Sequence, residues 1–262
     1  MAKVYLVGAG PGAADLLTLR AVRAIESADV VLYDALVSDE VLTFTKPTAR
    51  LIDVGKRCGS KFFNKTMKQE EINAQLVKFA QQVEVVVRLK GGDPLVFGRA
   101  AEEMDALRDA GIDFDVVPGV TAACSAAAAA KISLTDRRLA SQVLLTTAHH
   151  SEDNHDREIR HDSPSDTTTV IYMPGRDYGL VQEQLREMGV GDETPCLVIS
   201  RISSPDQKVF ATNVGALGTA PILPAPSLLI VGEVARRDSS HFPTSFEEVT
   251  NSQSRFALAW YS

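Results

Sequence analysis

The sequence predicts an α/β protein made of two α/β domains. Three observations point there. Short apolar runs alternate with helical periodicities through the first half, and glycine-rich turns follow two of its strand-like runs. Pro118-Gly119 then interrupts the pattern where it becomes less regular.

In order, strand-like runs occur at 3–8, 29–33, 51–54, 83–89 and 114–117, separated by helical patterns at 15–27, 68–80 and 99–110. Buried strands alternating with amphipathic helices indicate βαβ units and a parallel sheet. Beyond the hinge, strands are expected at 142–147, 168–172, 196–201, 207–210 and 228–234, with a helix at 178–188. More strands with fewer intervening helices suggest a mixed sheet. The alanine run 126–130 reads as a closely packed helix. The expected domains are therefore 1–117 and 118–237, with 238–262 as a tail that loses periodicity.

Composition narrows the function. The 27 Lys and Arg against 34 Asp and Glu give a net charge of −7, which argues against a global nucleic-acid or membrane-surface role. Any anionic ligand must meet a local cluster of cations. Cys58, Cys124 and Cys196 lack CxxC spacing, which argues against a disulfide frame or structural zinc. No apolar run approaches the ~18–20 residues of a membrane span, and the chain enters a strand at once. A cytoplasmic protein with no membrane partner is expected.

Two turns carry the chemistry. In VEVVVRLKGGDPLVFGR (83–99), a β-branched run delivers Gly91-Gly92-Asp93-Pro94 to the sheet edge, where α/β sheets bind ligands. Glycines there admit close approach to the backbone, and Pro94 fixes the exit φ. Gly8-Ala9-Gly10-Pro11-Gly12-Ala13 follows the first strand and formally fits a dinucleotide fingerprint, with Asp34 near the position of a ribose-binding acid. Against NAD, Pro11 removes an N–H where a pyrophosphate would need one. His149, His150, His155 and His161 with neighbouring aspartates lack the i, i+4 pattern of a helical zinc site, so no metal is expected.

VGAGPGAADLLTLRA, VVRLKGGDPLVFGRAAEE and VVPGVTAACSAAAAAKISLTDRRLA, with VIYM at 170–173 and PSLLIVGEV at 226–234, together resemble the uroporphyrinogen III C-methyltransferase family. The blocks keep family order over residues 3–237. The first block is shared with later precorrin methylases and diphthine synthase, and the GGDPxVFGR block favours the uroporphyrinogen branch. The resemblance implies a cofactor cleft between the two domains, a homodimer, and methyl transfer from S-adenosylmethionine to uroporphyrinogen III. Precorrin-2 would form by way of precorrin-1, with S-adenosylhomocysteine as co-product.

Carried over by motif position, the cofactor contacts are Pro11, Gly91, Gly92, Asp93, Val96, Thr121, Ala122 and Met173. The substrate contacts are Arg99, Glu102 and Arg137, and the candidate catalytic residues are Asp34, Lys56 and Arg99. Uroporphyrinogen carries eight carboxylates, which arginine forks bind bidentately. Its reduced pyrrole carbons are already nucleophilic, so alignment, exclusion of water and proton removal are the enzyme's work. Two alternatives stay open: a sister methylase acting on a later precorrin or a protein, and a non-catalytic cofactor-binding regulator.

The chain also departs from the family pattern. Ala13-Ala14-Asp15 stands in the first block, and Leu95 and Ala100-Ala101 in the second. Asp136 replaces the histidine of LTHR, and Ile202-Ser203 replaces a usual Gly-Thr. Asp136 places negative charge beside Arg137, an expected carboxylate site.

Overall fold

The computed structural model describes residues 2–55, 67–148, 166–236 and 242. The chain divides into two compact units, Met1–Ala122 and Ala123–Ser262. Among the described residues, no helix is long and apolar enough to cross a membrane.

The first unit holds β1 (Lys3–Gly8), α1 (Leu19–Ser27), β2 (Val30–Tyr33), α2 (Asp39–Leu42), β3 (Arg50–Asp53), α3 (Gln69–Ala80), β4 (Val85–Lys90), α4 (Ala100–Asp109) and β5 (Phe114–Val117). Its five strands lie in the order β3-β2-β4-β1-β5, and every pairing is parallel. The period of two in a strand explains the two cores. Val4, Leu6, Val30, Leu32 and Val86 face Ile72, Leu76, Phe79 and Leu107 of α3 and α4. Val7, Val31, Val87 and Leu89 face Ala21, Ala24 and Ile25 of α1. With both faces covered, the strands read as continuous apolar runs, as parallel sheets require.

Two local details differ from the sequence reading. The helix expected over 15–27 is split, because Leu17 and Thr18 are extended after a short 3-10 turn at Ala14–Leu16. Thr18 Oγ1 accepts from Ala21 N at 3.1 Å and starts α1 afresh as an N-cap. The short α2 was not expected; Ser38 caps it, and Asp39 and Glu40 complement its positive end.

The second unit carries most of α5 (Ala122–Ala129), then β6 (Gln142–Thr147), β7 (Thr167–Tyr172), α6 (Tyr178–Glu187), β8 (Pro195–Ser200), β9 (Lys208–Asn213) and β10 (Ser227–Val231). The strand order is β6-β7-β10-β8-β9. Only β6 and β7 run parallel; the other pairings are antiparallel, so the sheet is mixed as expected. Tyr178, Val181 and Leu185 of α6 pack on Ile171, Val198, Phe210 and Leu229.

Candidate functional site

At the carboxyl ends of β1, β4 and β5 the main chains of three glycine-containing turns pack directly against one another. Gly10 and Gly92 exchange both backbone hydrogen bonds, Gly92 N to Gly10 O at 2.7 Å and Gly10 N to Gly92 O at 3.2 Å. A Cβ on Gly119 would lie 2.4 Å from Gly92 O, and one on Gly8 would lie 2.6 Å from Gly119 N. No side chain fits at Gly8 or Gly119 without moving backbone. Gly92 is different. It sits at φ +70, yet the nearest atom to a Cβ there is Ala122 N at 4.0 Å, so its exposed side opens onto free space.

Two aspartates brace this seam. Asp93 Oδ2 accepts from Gly119 N at 3.0 Å and Oδ1 accepts from Leu95 N at 2.8 Å. Asp34 Oδ2 accepts from Gly91 N at 3.0 Å and Oδ1 accepts from Leu36 N at 3.0 Å. Asp34, a candidate base, thus also holds the first glycine of the turn. Each carboxylate oxygen has two lone pairs, so these bonds leave acceptor capacity on both. Pro11 lies between Gly10 at φ +71 and Gly12 at φ +148, in the loop facing Gly92. Half-buried Val96 closes the turn from the other side, with its N–H on Asp93 O at 3.2 Å.

Arg99 occupies the left-handed region at φ +56 at the start of α4, and its side chain does not cap the helix backbone. Instead its Nε and Nη2 donate to Glu102 Oε1 and Oε2, both at 2.7 Å, and this fork holds the guanidinium charged above its usual range. Arg99 and Glu102, three residues apart, are therefore brought together. Three of the five guanidinium N–H groups remain for a ligand. Lys56 lies outside the described residues, as do the four histidines and almost all of the tail.

Sequence reasoning missed what lies underneath. Arg88 and Lys90, on one face of β4, are 4% and 3% exposed, and both reach Glu103 of α4, which is fully buried. Arg88 Nε donates to Glu103 Oε1 at 2.9 Å, and Lys90 Nζ donates to Oε2 at 2.8 Å. Burial pushes the Lys90 ammonium below its ordinary value, and the Arg88 charge adds to this; Glu103 and Asp34 oppose it. The signal was present in VVVRLK: two cations two residues apart in a buried strand demand a buried acid.

In the second unit, Met173 follows β7 at φ +50 and is 45% exposed. A methionine held in the left-handed region before Pro174 presents its thioether outward instead of filling core. Tyr172 Oη accepts from Ala123 N at 3.1 Å and anchors the start of α5, just after Thr121 and Ala122. Arg137 is exposed, and no hydrogen bond or ion pair holds its side chain among the described residues. Its neighbour Asp136 opens a tight turn closed by Ala140 and is gripped by Arg138. Ile202 is buried, and Ser203, at φ +60, bonds Ser125 through their hydroxyls at 2.7 Å.

The seam fits a methyl-donor cofactor on its own terms: backbone polar groups and an uncovered glycine face can meet a ligand without a side chain intervening. The sequence profile described as tetrapyrrole (corrin/porphyrin) methylases matches residues 3–218. A siroheme synthase of Actinobacillus succinogenes is 47% identical over 232 residues, covering 88% of this chain and 48% of that protein. The chain thus spans about half the length of the siroheme synthases it resembles. The uroporphyrinogen-III C-methyltransferase of Bacillus subtilis is 42% identical over 238 residues, 89% of this chain and 91% of that protein. The crystal structure of a Thermus thermophilus uroporphyrin-III C-methyltransferase complexed with S-adenyl homocysteine superposes with a TM-score of 0.76 at 36% identity, covering 89% of this chain and 99% of that one. With the parallel first sheet, the mixed second sheet and the glycine seam, these matches establish that the chain belongs to the tetrapyrrole (corrin/porphyrin) methylases.

Proposed function

We propose that this chain transfers methyl groups from S-adenosylmethionine to two pyrrole carbons, C2 and C7, of uroporphyrinogen III, giving precorrin-2 by way of precorrin-1. The observation that carries this reading is the glycine seam at the ends of β1, β4 and β5, in a chain so similar to the Bacillus subtilis enzyme along nearly all of that enzyme's length. Precorrin-2 would feed sirohaem, and by the same chemistry cobalamin or haem d1. A homodimer in the cytoplasm is part of the same reading.

When bound, the cofactor supplies an electrophilic sulfonium methyl. Everything else falls to the protein. Pro11, Gly91, Gly92, Asp93, Val96, Thr121 and Ala122 offer main-chain groups and apolar contact to it, and Met173 offers a thioether that conforms to a flat ring. Arg99, oriented by Glu102, engages a substrate carboxylate with its remaining N–H groups. In the second unit Arg137 does the same without an internal partner to displace. Methylation leaves a quaternary carbon in a cationic ring, and Asp34 accepts the proton that this ring then loses from its N–H or from the adjacent bridging methylene, with Lys56 assisting as donor.

The test is an anaerobic incubation of the purified protein with uroporphyrinogen III and labelled S-adenosylmethionine, counting methyls in the tetrapyrrole. Two methyls are expected. One would restrict the activity to precorrin-1 formation. None, with S-adenosylhomocysteine still bound, would overturn the reading in favour of a sister substrate or a non-catalytic binder.

A further inference from the structure

The buried triad of Arg88, Lys90 and Glu103 has no part in the roles assigned so far, and stability is a poor explanation for it. Taking three charges out of water costs several kcal/mol each before pairing, and apolar residues of similar size often serve a core as well or better. The triad also carries two cations to one carboxylate, so it is not even neutral. What distinguishes it is position. Lys90 is the last residue of β4, immediately before Gly91, and Glu103 directly follows Glu102, the partner of Arg99.

We propose that the Lys90–Glu103 pair is a positioning device that fixes the first turn of α4 against the end of β4, and thereby sets where the Arg99 guanidinium stands relative to the glycine turn. Four hydrogen bonds and one close approach make the linkage rigid. Lys90 O accepts from Ala9 N at 2.7 Å, tying the pair's strand to the first glycine loop. The Lys90 stem runs beneath the turn, with its Cε 3.3 Å from where a Gly98 Cβ would be. Gln69 Nε2 of α3 donates to Glu103 Oε1 at 3.3 Å and to Asn73 Oδ1 at 3.0 Å, and Asn73 Nδ2 donates to Glu102 O at 3.1 Å. The backbone that carries Glu102 is therefore held from below and from the side. Phe97 and Arg99, at φ +53 and +56, flank Gly98 in a conformation that costs energy, so something must enforce it. The pair supplies that enforcement. Lys90 and Glu103 are positioning residues and touch neither substrate nor cofactor.

This inference rests on the reading of Arg99 as the substrate-binding arginine, and its test has one arm that needs no substrate. Lys90→Met is the principal variant: it leaves a neutral Arg88–Glu103 pair, and Met follows the lysine stem. Glu103→Gln is the second, keeping reach while removing charge. The probe is the Arg99 Nε–H resonance in protein labelled with 15N-arginine, assigned by its loss in Arg99→Lys. In the folded variants its exchange with water should accelerate about tenfold or more. Turnover should fall about 30- to 100-fold while KM for S-adenosylmethionine stays within about twofold. Unchanged Arg99 exchange in folded Lys90→Met overturns the proposal, whatever the activity. Absence of turnover in the unsubstituted protein would overturn the functional reading alone, and the exchange comparison would still decide this one.

Discussion

Arg138 closes on Asp136 from three sides, with its main-chain N–H at 2.9 Å, its Nε at 3.0 Å and its Nη2 at 2.9 Å. Asp136 holds the Arg138 guanidinium charged above its usual range, and the acid is thereby paired with a cation other than Arg137. The charge that disturbs the family pattern is paired within one turn of chain. Arg138→Ala should therefore raise KM for uroporphyrinogen III by about three- to tenfold, by removing one cation paired with Asp136 beside the anion site proposed at Arg137. Asp136→Ala in the same chain should restore it. Initial rates over a range of tetrapyrrole concentrations measure both, and a double variant no better than Arg138→Ala would refute the compensation.

Arg99→Ala should lower turnover by about a hundredfold or more, since the orienting fork with Glu102 disappears along with the charge. S-adenosylhomocysteine affinity, read by calorimetry, should stay within about threefold because the glycine seam is untouched. Full turnover by this variant would remove Arg99 from the mechanism.

Two glycines of the seam should respond differently. Gly119→Ala forces backbone apart, because its Cβ would stand 2.4 Å from Gly92 O; a loss of about 1–3 kcal/mol in urea unfolding is expected, with weakened cofactor binding. Gly92→Ala meets no such wall and should cost about 1–2 kcal/mol through its φ alone. Gly92→Val projects a branched side chain into the open face, and its S-adenosylhomocysteine affinity should collapse. Equal affinity for Gly92→Val and the parent chain would show that this face meets no ligand.

At the opposite end of β4, Asp29 accepts from Lys46 Nζ at 2.6 Å and from Val85 N at 2.9 Å. The Lys46 ammonium, followed by the Val85 N–H, holds the Asp29 carboxyl below the usual aspartate range. The folded chain then binds fewer protons than the unfolded chain between the two values. Its contribution is complete above about pH 4 and is lost as pH falls through the folded value. Thermal melts should show Asp29→Asn less stable than the parent at pH 7, with the gap closing toward about pH 2–3. A gap independent of pH would assign the difference to packing.

The elements of both sheets were legible because apolar runs such as Val85-Val86-Val87 have no other stable place than a buried strand. The break at Leu17-Thr18 was not, since a helical period continues across it and only the cap of Thr18 reveals the restart. The turn at Gly91-Gly92 could be read from composition, but its partner could not. That Gly119 abuts Gly92, and that Asp93 and Asp34 brace the pair, depends on strand order, which no local pattern encodes. Pro118-Gly119 was legible as a break in the pattern; its role as a wall of the seam was hidden. Glu103 was hidden for the same reason: its cations lie on β4, fifteen and thirteen residues earlier in the chain.

A contact surface made from peptide groups has an unusual relation to mutation. Exchanging a side chain alters a pocket lined by side chains, but here there are none to exchange at Gly8, Gly92 and Gly119. A change at exposed Leu95 alters the rim and leaves the peptide floor as it was. A floor of this kind, meeting the donor as proposed, changes little when side chains change, while the periphery is free to drift toward new acceptors. Divergence of substrate around a constant donor is what this geometry permits, and it locates the evolvable part of the molecule in its side-chain rim.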